Sequence, residues 1–263
     1  MVPTQYEVFD FHTHPFLNDS QNICSHKECF PMDAAYTREV MEHLGVSRIA
    51  GSVVIHQTKD SPVDWAFMRA QNDAALQLQQ LYDGFYVPGF HVHPSFVRES
   101  CEEIERQEGL GNRLIGELVP YMHGWSDYSC DAFDQILDCA EAHRMVVSFH
   151  AMGEDEMDRM VEKHPKLVLV AAHPGEYGAF MRHMERMKKS DNYYLDLSGY
   201  GIFRHGMLRH AVDLFGAERF LYGSDYPTCN PAMYLGGVLL DELITPEQQK
   251  LILSGNARRL LGL

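Results

Sequence analysis

The sequence of 263 residues lacks any apolar stretch long enough to form a transmembrane helix. Its longest apolar runs, such as LVLVAA at residues 167–172, are far shorter than the ~18 residues that span a bilayer. The N-terminal stretch MVPTQYEVFDFHTH also lacks the basic and then apolar segments of a secretory signal peptide. We therefore expect no membrane partner, and we expect a cytoplasmic protein.

Cysteine and positive charge are both scarce. The six cysteines, at positions 24, 29, 101, 130, 139 and 229, form no regular disulfide framework, which fits a reducing location. The chain has 22 Lys and Arg against 37 Asp and Glu, so its formal net charge is 22 − 37 = −15, and its basic residues form no cluster longer than a pair. Such a chain repels a phosphate backbone, so we expect no nucleic-acid partner.

What the sequence does contain is a regular alternation of two patterns. Eight short runs rich in β-branched residues, most of them apolar on both faces, are typical of strands in a parallel sheet covered by helices; they are residues 6–12, 48–56, 84–91, 113–118, 145–150, 167–173, 193–198 and 219–225. Helical spacing occurs between them, for example at residues 32–44, 65–82, 132–143, 156–164, 179–188 and 207–215. The alternation predicts an α/β fold, a (β/α)₈ TIM barrel in one domain over residues 1–263, with residues 246–261 as a C-terminal helical cap.

An open, doubly wound sheet would show the same periodicity, and the placement of polar residues helps to decide between the two folds. Polar side chains stand at or just after the end of every predicted strand: His14, His56, His91, Glu117, His150, His173, Ser198 and Asp225. A barrel brings these ends together at one mouth, whereas an open sheet spreads them along an edge. The pattern therefore favours a barrel with a site at its mouth.

The composition of that mouth points to a metal ion. His12 and His14 are separated by one residue of a strand, so both imidazoles face the same side. A catalytic zinc ion needs three or four nitrogen, oxygen or sulfur ligands, and His150 and Asp225 would complete such a shell. A lone histidine at a strand end is more often structural. The ordered set of histidines and carboxylates over strands one, four, five, six and eight nevertheless favours a metal site.

The motifs DFHTH, IGELVPY, VVSFHA, AAHPG, YGSDYP and GNARRLLGL together resemble the amidohydrolase superfamily, specifically its amidohydrolase-related branch of metal-dependent hydrolases and decarboxylases. The resemblance covers about residues 8–261. It implies that His12, His14, His150 and Asp225 are metal ligands and that His173 is an active-site histidine beside the metal.

Glu117 is the residue whose role this resemblance leaves open. In two-metal relatives the strand-four position carries a carboxylated lysine or a glutamate that bridges both ions, and His173 would then bind the second ion. Alternatively, Glu117 accepts a hydrogen bond that orients a ligand imidazole. We include Glu117 in the metal set and favour one divalent ion over two, with zinc preferred, although manganese and iron tolerate the same ligands.

The predicted chemistry is hydrolysis of a small carbonyl substrate such as an amide, a lactone or an ester. The metal would activate a water, Asp225 would act as general base, and His173 would polarise the scissile carbonyl or hold an oxyanion. A metal-dependent decarboxylase of a small unsaturated acid is the alternative, and the lean chain of 263 residues favours hydrolysis. The sequence is also compatible with a homo-oligomer.

A deoxyribonuclease of the related TatD type is disfavoured. Its metal residues are similar, but Ala151 and Met152 follow His150 where that family has an arginine nearby. The strand-eight motif reads GSDYP rather than an ETDAP-like string, and the net charge is −15.

Two loops are further candidates for substrate contact. Tyr121, His123 and Trp125 follow strand four, where contact with substrate and simple loop packing are equally compatible with the sequence. Arg204 and His205 follow strand seven and could receive an anionic group. The connection over residues 15–32 follows the His-X-His strand and is long enough to be a lid.

Overall fold

Eight parallel strands form the centre of the fold in a computed structural model that describes residues 5–29, 32–56, 63–201 and 204–263. They are β1 (Phe9–Asp10), β2 (Arg48–Ser52), β3 (Tyr86–Phe90), β4 (Leu114–Leu118), β5 (Val146–His150), β6 (Val168–Ala172), β7 (Tyr193–Asp196) and β8 (Phe220–Leu221). Each strand pairs in parallel with the next one along the chain, so the spatial order is the chain order. This topology requires a crossover connection after every strand.

The sheet closes on itself through the extensions of its first and last strands. The amide of Phe11 donates to the carbonyl oxygen of Tyr222 at 2.9 Å, and the amide of Asp225 donates to the carbonyl oxygen of His12 at 2.9 Å. An open sheet would leave these groups unpaired at its edges. The predicted (β/α)₈ TIM barrel is therefore confirmed.

Helices surround the strands. They are α1 (Ala34–His43), α2 (Trp65–Leu81), α3 (Val97–Gly109), α4 (Asp131–Ala142), α5 (Glu154–Lys163), α6 (Tyr177–Lys189), α7 (Met207–Phe215) and α8 (Pro231–Leu239). The side chains of Asp33 and Asp64 begin α1 and α2 by accepting hydrogen bonds from backbone amides, as N-cap residues do. In the described parts of the chain, no helix combines the length and apolar character needed to cross a membrane.

The C-terminal segment covers the barrel, as predicted. It consists of α9 (Pro246–Lys250), a π-helical turn (Leu251–Gly255) and α10 (Asn256–Leu261). The buried Ala257 and Leu261 of α10 pack in one cluster with apolar residues from seven strands or their extensions: Phe9, Phe11, Ala50, Leu114, Val146, Val170, Tyr194 and Leu221. This cluster fills the inside of the barrel at the end away from the carboxyl ends of the strands. The polar residues are therefore gathered at the opposite end.

Candidate metal centre

The first strand delivers two imidazoles to the mouth of the barrel. His12 and His14 follow β1 and are buried, and their Nε2 atoms lie 3.2 Å apart. The backbone that carries them is tied to the last strand, because Asp10 Oδ1 accepts from the amides of His12 at 3.2 Å and Ser224 at 3.0 Å. The predicted His-X-His pair is thus held at a fixed position in the sheet.

Glu117, near the end of β4, lies between two pairs of histidines. Its Oε2 atom is 3.1 Å from Nε2 of both His12 and His14. Its Oε1 atom is 3.1 Å from Nδ1 of His150 and 3.5 Å from Nε2 of His173. One buried carboxylate therefore contacts histidines from β1 and β5 and from the loop after β6.

Asp225 completes the first of these two groups. Its Oδ1 atom lies 3.8 Å from Nε2 of His12 and 3.6 Å from Nε2 of His14. The chain turns sharply here, since Asp225 has a φ of 58°, and this conformation leaves the side chain 12% exposed. Asp225 is therefore the more solvent-accessible of the two carboxylates in this group.

The proton positions on three imidazoles follow from their other hydrogen bonds. Nδ1 of His14 lies 3.0 Å from the carbonyl oxygen of Ser52, and Nδ1 of His173 lies 3.3 Å from the carbonyl oxygen of Ser198. Nδ1 of His12 lies 2.9 Å from a carboxylate oxygen of Asp196. Carbonyl and carboxylate oxygens only accept, so each Nδ1 carries a proton and each neutral ring has a bare Nε2. All three Nε2 atoms face Glu117.

The spacing of these atoms fits a metal ion. Ligand atoms that each lie about 2.1 Å from a tetrahedral ion are about 3.4 Å from one another. The Nε2 atoms of His12 and His14 lie 3.2 Å apart and 3.1 to 3.8 Å from the carboxylate oxygens of Glu117 and Asp225. Two sets of potential ligands share Glu117: one with His12 and His14, the other with His150 and His173. The residues present therefore fit a divalent ion.

Charge and burial shift the pKa values within the cluster in opposite directions. Burial alone would raise the pKa of Glu117, but His12, His14 and His150 hold it well below its usual value. Burial lowers the pKa of His12, yet Glu117 and Asp196 outweigh it and raise that pKa well above the ordinary range. Burial dominates at His173, whose pKa is lowered. Glu117 is therefore an anion, His12 carries a second proton in the absence of another cation, and His173 is neutral.

Two residues at the end of β7 support the cluster, and the sequence analysis gave them no role. Asp196 accepts from Nδ1 of His12, and the Ser198 hydroxyl lies 3.1 Å from Nδ1 of His173. Their signal was present in the strand-seven run YYLDLS, because residues 196 and 198 are two apart, as His12 and His14 are.

Some residues of the loop after β4 lie at the mouth of the barrel, and others lie in the core. Tyr121 is 56% exposed, and its ring centre lies 5.2 Å from that of His150, so it borders the mouth. His123 is buried with its Nε2 atom 3.1 Å from Oε1 of Gln71. The ring of Trp125 packs against those of Tyr128 and Phe133 at 5.4 and 5.0 Å. Loop packing therefore accounts for His123 and Trp125.

Other predicted positions lie outside the cluster. Nη2 of Arg204 lies 2.6 Å from Oε2 of Glu176, so this cation is already paired. His91, after β3, contacts the carbonyl oxygen of Val53 through Nε2 at 2.8 Å, and burial lowers its pKa to about 4. It is a buried neutral histidine. The proposed lid over residues 15–32 includes residues 30 and 31, which lie outside the described part, and it remains a prediction.

Fold and site together define a class: a closed parallel barrel whose mouth carries a histidine and carboxylate cluster of the kind that binds divalent metals. Comparison with known families agrees, since the model of the amidohydrolase family matches residues 9–263. The chain belongs to the amidohydrolase family. No curated protein sequence matches it.

Solved structures share the fold over nearly the whole chain. An uncharacterized TIM-barrel protein from Bordetella bronchiseptica has 18% identity and a TM-score of 0.75, with 97% of this chain and 98% of that one covered. A 5-carboxyvanillate decarboxylase from Novosphingobium aromaticivorans, complexed with manganese, has 15% identity and a TM-score of 0.71, with 98% and 97% covered. A probable 2-pyrone-4,6-dicarboxylic acid hydrolase from Acinetobacter baumannii has 15% identity and a TM-score of 0.66, with 98% and 100% covered.

Proposed function

We propose that the chain is a metal-dependent hydrolase that adds water to a small carbonyl substrate such as an amide, a lactone or an ester. The observation that carries this proposal is the convergence of the Nε2 atoms of His12, His14 and His173 on the buried Glu117 carboxylate. Lone pairs and a carboxylate repel one another unless a proton or a cation lies between them. Divalent cations between Glu117 and these imidazoles would supply the positive charge that the arrangement needs.

The predicted metal ligands divide into two adjacent positions in this proposal. His12, His14, Asp225 and Oε2 of Glu117 would hold the primary ion. Oε1 of Glu117 would share a second position with His150 and His173. Imidazole-rich sites suit zinc, and the similar decarboxylase solved with manganese supports a divalent ion in this fold.

Asp225 is the proposed general base. A divalent ion in such a site lowers the pKa of a water that it binds from ~15.7 toward ~7. Asp225 stands at the open edge of the primary position, where its carboxylate can accept the proton of the attacking water and return it to the leaving group. The exposed ring of Tyr121 borders the side from which substrate enters.

His173 takes a different part from the one that the sequence suggests. Donation to a carbonyl oxygen or an oxyanion requires a proton on Nε2. The neutral ring carries its proton on Nδ1, and burial lowers the pKa that a second proton would need. We therefore propose that His173 acts through the lone pair of Nε2, as a metal ligand beside Glu117.

The arrangement favours hydrolysis over decarboxylation because of its charge. Three carboxylates, those of Glu117, Asp196 and Asp225, lie within or directly beside the cluster. With neutral histidines and a divalent ion in the primary position alone, the sum is 2 − 3 = −1, which disfavours a substrate carboxylate. Arg204 at the rim is already paired with Glu176. A neutral carbonyl substrate avoids this repulsion.

The test compares the two reactions on the same metal-loaded protein. A panel of small lactones, esters and amides is assayed for consumption of water, and a panel of small unsaturated and aromatic acids is assayed for release of carbon dioxide. We expect hydrolysis of at least one neutral substrate, and we expect Asp225→Asn to lower its kcat by about 10²-fold or more. Asp213→Asn, at an exposed position of α7, is the matched control and should keep wild-type activity.

Two results would overturn the proposal. Release of carbon dioxide without any hydrolysis would make the protein a carboxy-lyase. Full hydrolytic activity in Asp225→Asn would remove the proposed base.

A further inference from the structure

Asp196 and Ser198 contact two histidines that serve different halves of the proposed centre. Oδ2 of Asp196 lies 2.9 Å from Nδ1 of His12, which belongs to the primary position. Oγ of Ser198 lies 3.1 Å from Nδ1 of His173, which belongs to the second position, and also 2.9 Å from Nδ1 of His12. Asp196 and Ser198 are fully buried and two residues apart, so both side chains face the inside of the barrel.

The two residues are linked to each other. The Ser198 hydroxyl donates to Oδ1 of Asp196, and the Asp196 carboxylate accepts from Nδ1 of His12 through its other oxygen. Because the Ser198 hydroxyl has given its only proton to Asp196, its oxygen can only accept from Nδ1 of His173, whose proton it shares with the Ser198 carbonyl oxygen at 3.3 Å. One carboxylate therefore sets the orientation of both rings, directly at His12 and through Ser198 at His173.

Close packing holds this pair in place. A Cβ atom at Gly223 would lie 2.8 Å from Cβ of His12 and 3.4 Å from Oδ1 of Asp196. A Cβ atom at Gly199 would lie 2.2 Å from Nδ1 of His173. The backbone thus lies close to Cβ of His12 and to Asp196 at Gly223, and close to the ring of His173 at Gly199.

We propose that Asp196 and Ser198 form a positioning pair that fixes the Nδ1–H form of His12 and His173 and so prepares both Nε2 atoms for metal. The proposal rests on the proposed function and names the residues that organise its site. His14 is independent of the pair, because its Nδ1 proton goes to the carbonyl oxygen of Ser52. Removal of the pair should therefore act on His12 and His173 but leave His14 unchanged.

The two members of the pair differ in what their removal should do. Asp196→Asn leaves one acceptor oxygen where His12 and Ser198 each need one. We expect its affinity for Zn²⁺ and for Mn²⁺ to fall about 10- to 100-fold, as for other residues that orient metal ligands. Ser198→Ala removes the hydroxyl beside Nδ1 of both rings but keeps the contact between His12 and the Asp196 carboxylate. We expect the metal affinity of the tighter binding step to change less than about threefold. We also expect kcat to fall with little change in KM.

The first readout is calorimetric titration of metal-depleted protein with Zn²⁺ and Mn²⁺. The second is nuclear magnetic resonance of the metal-free protein, in which the Nδ1 proton of His12 should resonate far downfield because it lies against a carboxylate. This signal should disappear in Asp196→Asn and persist in Ser198→Ala. Asp213→Asn is the matched control and should change neither readout.

The outcomes separate this proposal from the function on which it rests. If the wild-type protein binds neither ion, the proposed function fails, and the His12 signal still decides whether Asp196 positions the ring. Wild-type affinity and an unchanged signal in Asp196→Asn would overturn the pair. If Asp196→Asn does not fold, Ser198→Ala carries the test, and a loss of the His12 signal in that variant would contradict the assignment.

Discussion

Nε2 of His14 lies 3.1 Å from Oε2 of Glu117, although the two residues are 103 positions apart in the sequence. The Nδ1 proton of His14 is committed to the carbonyl oxygen of Ser52, so this short distance joins two acceptors. The closed barrel holds them there by bringing the ends of β1 and β4 to the same mouth. Such an arrangement is favourable only with positive charge beside it.

Replacement of the Glu117 carboxylate tests this reasoning. Glu117→Gln removes the shared negative charge and places an amide where both groups of histidines need a carboxylate. We expect the affinity of metal-depleted protein for Zn²⁺ to fall at least about 100-fold and metal content to fall accordingly, as measured by calorimetry and elemental analysis. Glu102→Gln, on the exposed face of α3, should behave as wild type. Unchanged metal content in Glu117→Gln would show that Glu117 neither binds nor bridges metal.

Gly199 gives a second test through the backbone. It has a φ of +61°, and a Cβ atom there would lie 2.2 Å from Nδ1 of His173. We expect Gly199→Ala to displace the His173 ring and to lower kcat at least about 10-fold. Gly178→Ala is the matched control because nothing lies within 4 Å of its Cβ position, and it should keep wild-type kinetics. Equal kcat values for the two variants would contradict the placement of His173.

Arg186 is predicted to stabilise the fold rather than the reaction. Its side chain is fully buried, Nε donates to Oδ1 of Asp158 at 2.7 Å, and Nη2 donates to the carbonyl oxygen of Glu154 at 2.9 Å. Arg186→Met leaves these acceptors without their donor and should lower the free energy of unfolding by about 3 kcal/mol. Arg209→Met removes an exposed pair with Asp213 and a hydrogen bond to the carbonyl oxygen of Leu243, and it should cost less than about 1 kcal/mol. Urea denaturation measures both, and equal losses would contradict the prediction.

His183 is predicted to make stability depend on pH. It is buried in α6 with Nδ1 2.7 Å from the hydroxyl of Tyr193, and burial lowers its pKa to about 3 from an ordinary 6.5. The folded protein therefore keeps His183 neutral while the unfolded chain takes up a proton below pH 6.5. Its contribution is complete above pH 6.5 and is progressively lost as the pH falls toward 3, by about 2 kcal/mol at pH 5.

The measurement compares the free energy of unfolding at pH 7.5 and pH 5. The decrease between these values should be about 2 kcal/mol smaller in His183→Gln than in the wild type. His210→Gln, at an exposed position of α7, should show the wild-type decrease. The same decrease in all three proteins would show that His183 does not stay neutral when folded.

The barrel could be predicted from sequence because its strands are covered on both faces and therefore read as apolar runs. The predicted runs are longer than the strands at both ends of the sheet: β1 is Phe9–Asp10 and β8 is Phe220–Leu221. Beyond β8 the chain bends to present Asp225, whose positive φ ends the extended conformation. The ligand-bearing residues lie just past the strands, where function interrupts the regular pattern.

Helix α3, which is not among the helical stretches given from the sequence, shows why an element can lack an apolar pattern. Only Ile104 among its buried residues is strongly apolar; the others, Ser100, Glu103 and Gln107, are polar. Hydrogen bonds satisfy these buried groups: Glu103 lies 2.7 Å from Gln107 and 3.2 Å from Asn72 of α2, and the Ser100 hydroxyl donates to the carbonyl oxygen of His93 at 3.2 Å. A face of this kind has no hydrophobic periodicity to detect.

The candidate metal residues could be named from sequence, but their grouping could not. His150 has its Nδ1 atom beside Oε1 of Glu117, on the opposite carboxylate oxygen from His12 and His14. Ligand order along the chain gives no information on which oxygen each histidine faces. The role of Asp196 also depends on a contact between β1 and β7 that only the closed barrel creates.

The central claim is that His12 and His14 hold a divalent ion that the reaction requires. The most direct measurement is the metal content and hydrolytic activity of the His12→Asn, His14→Asn double variant beside the wild type, after chelation and reloading with Zn²⁺ or Mn²⁺. We predict at least one ion per wild-type chain, and for the folded double variant, no tightly bound ion in the primary position and no activity. Full activity in the metal-depleted double variant would contradict the account.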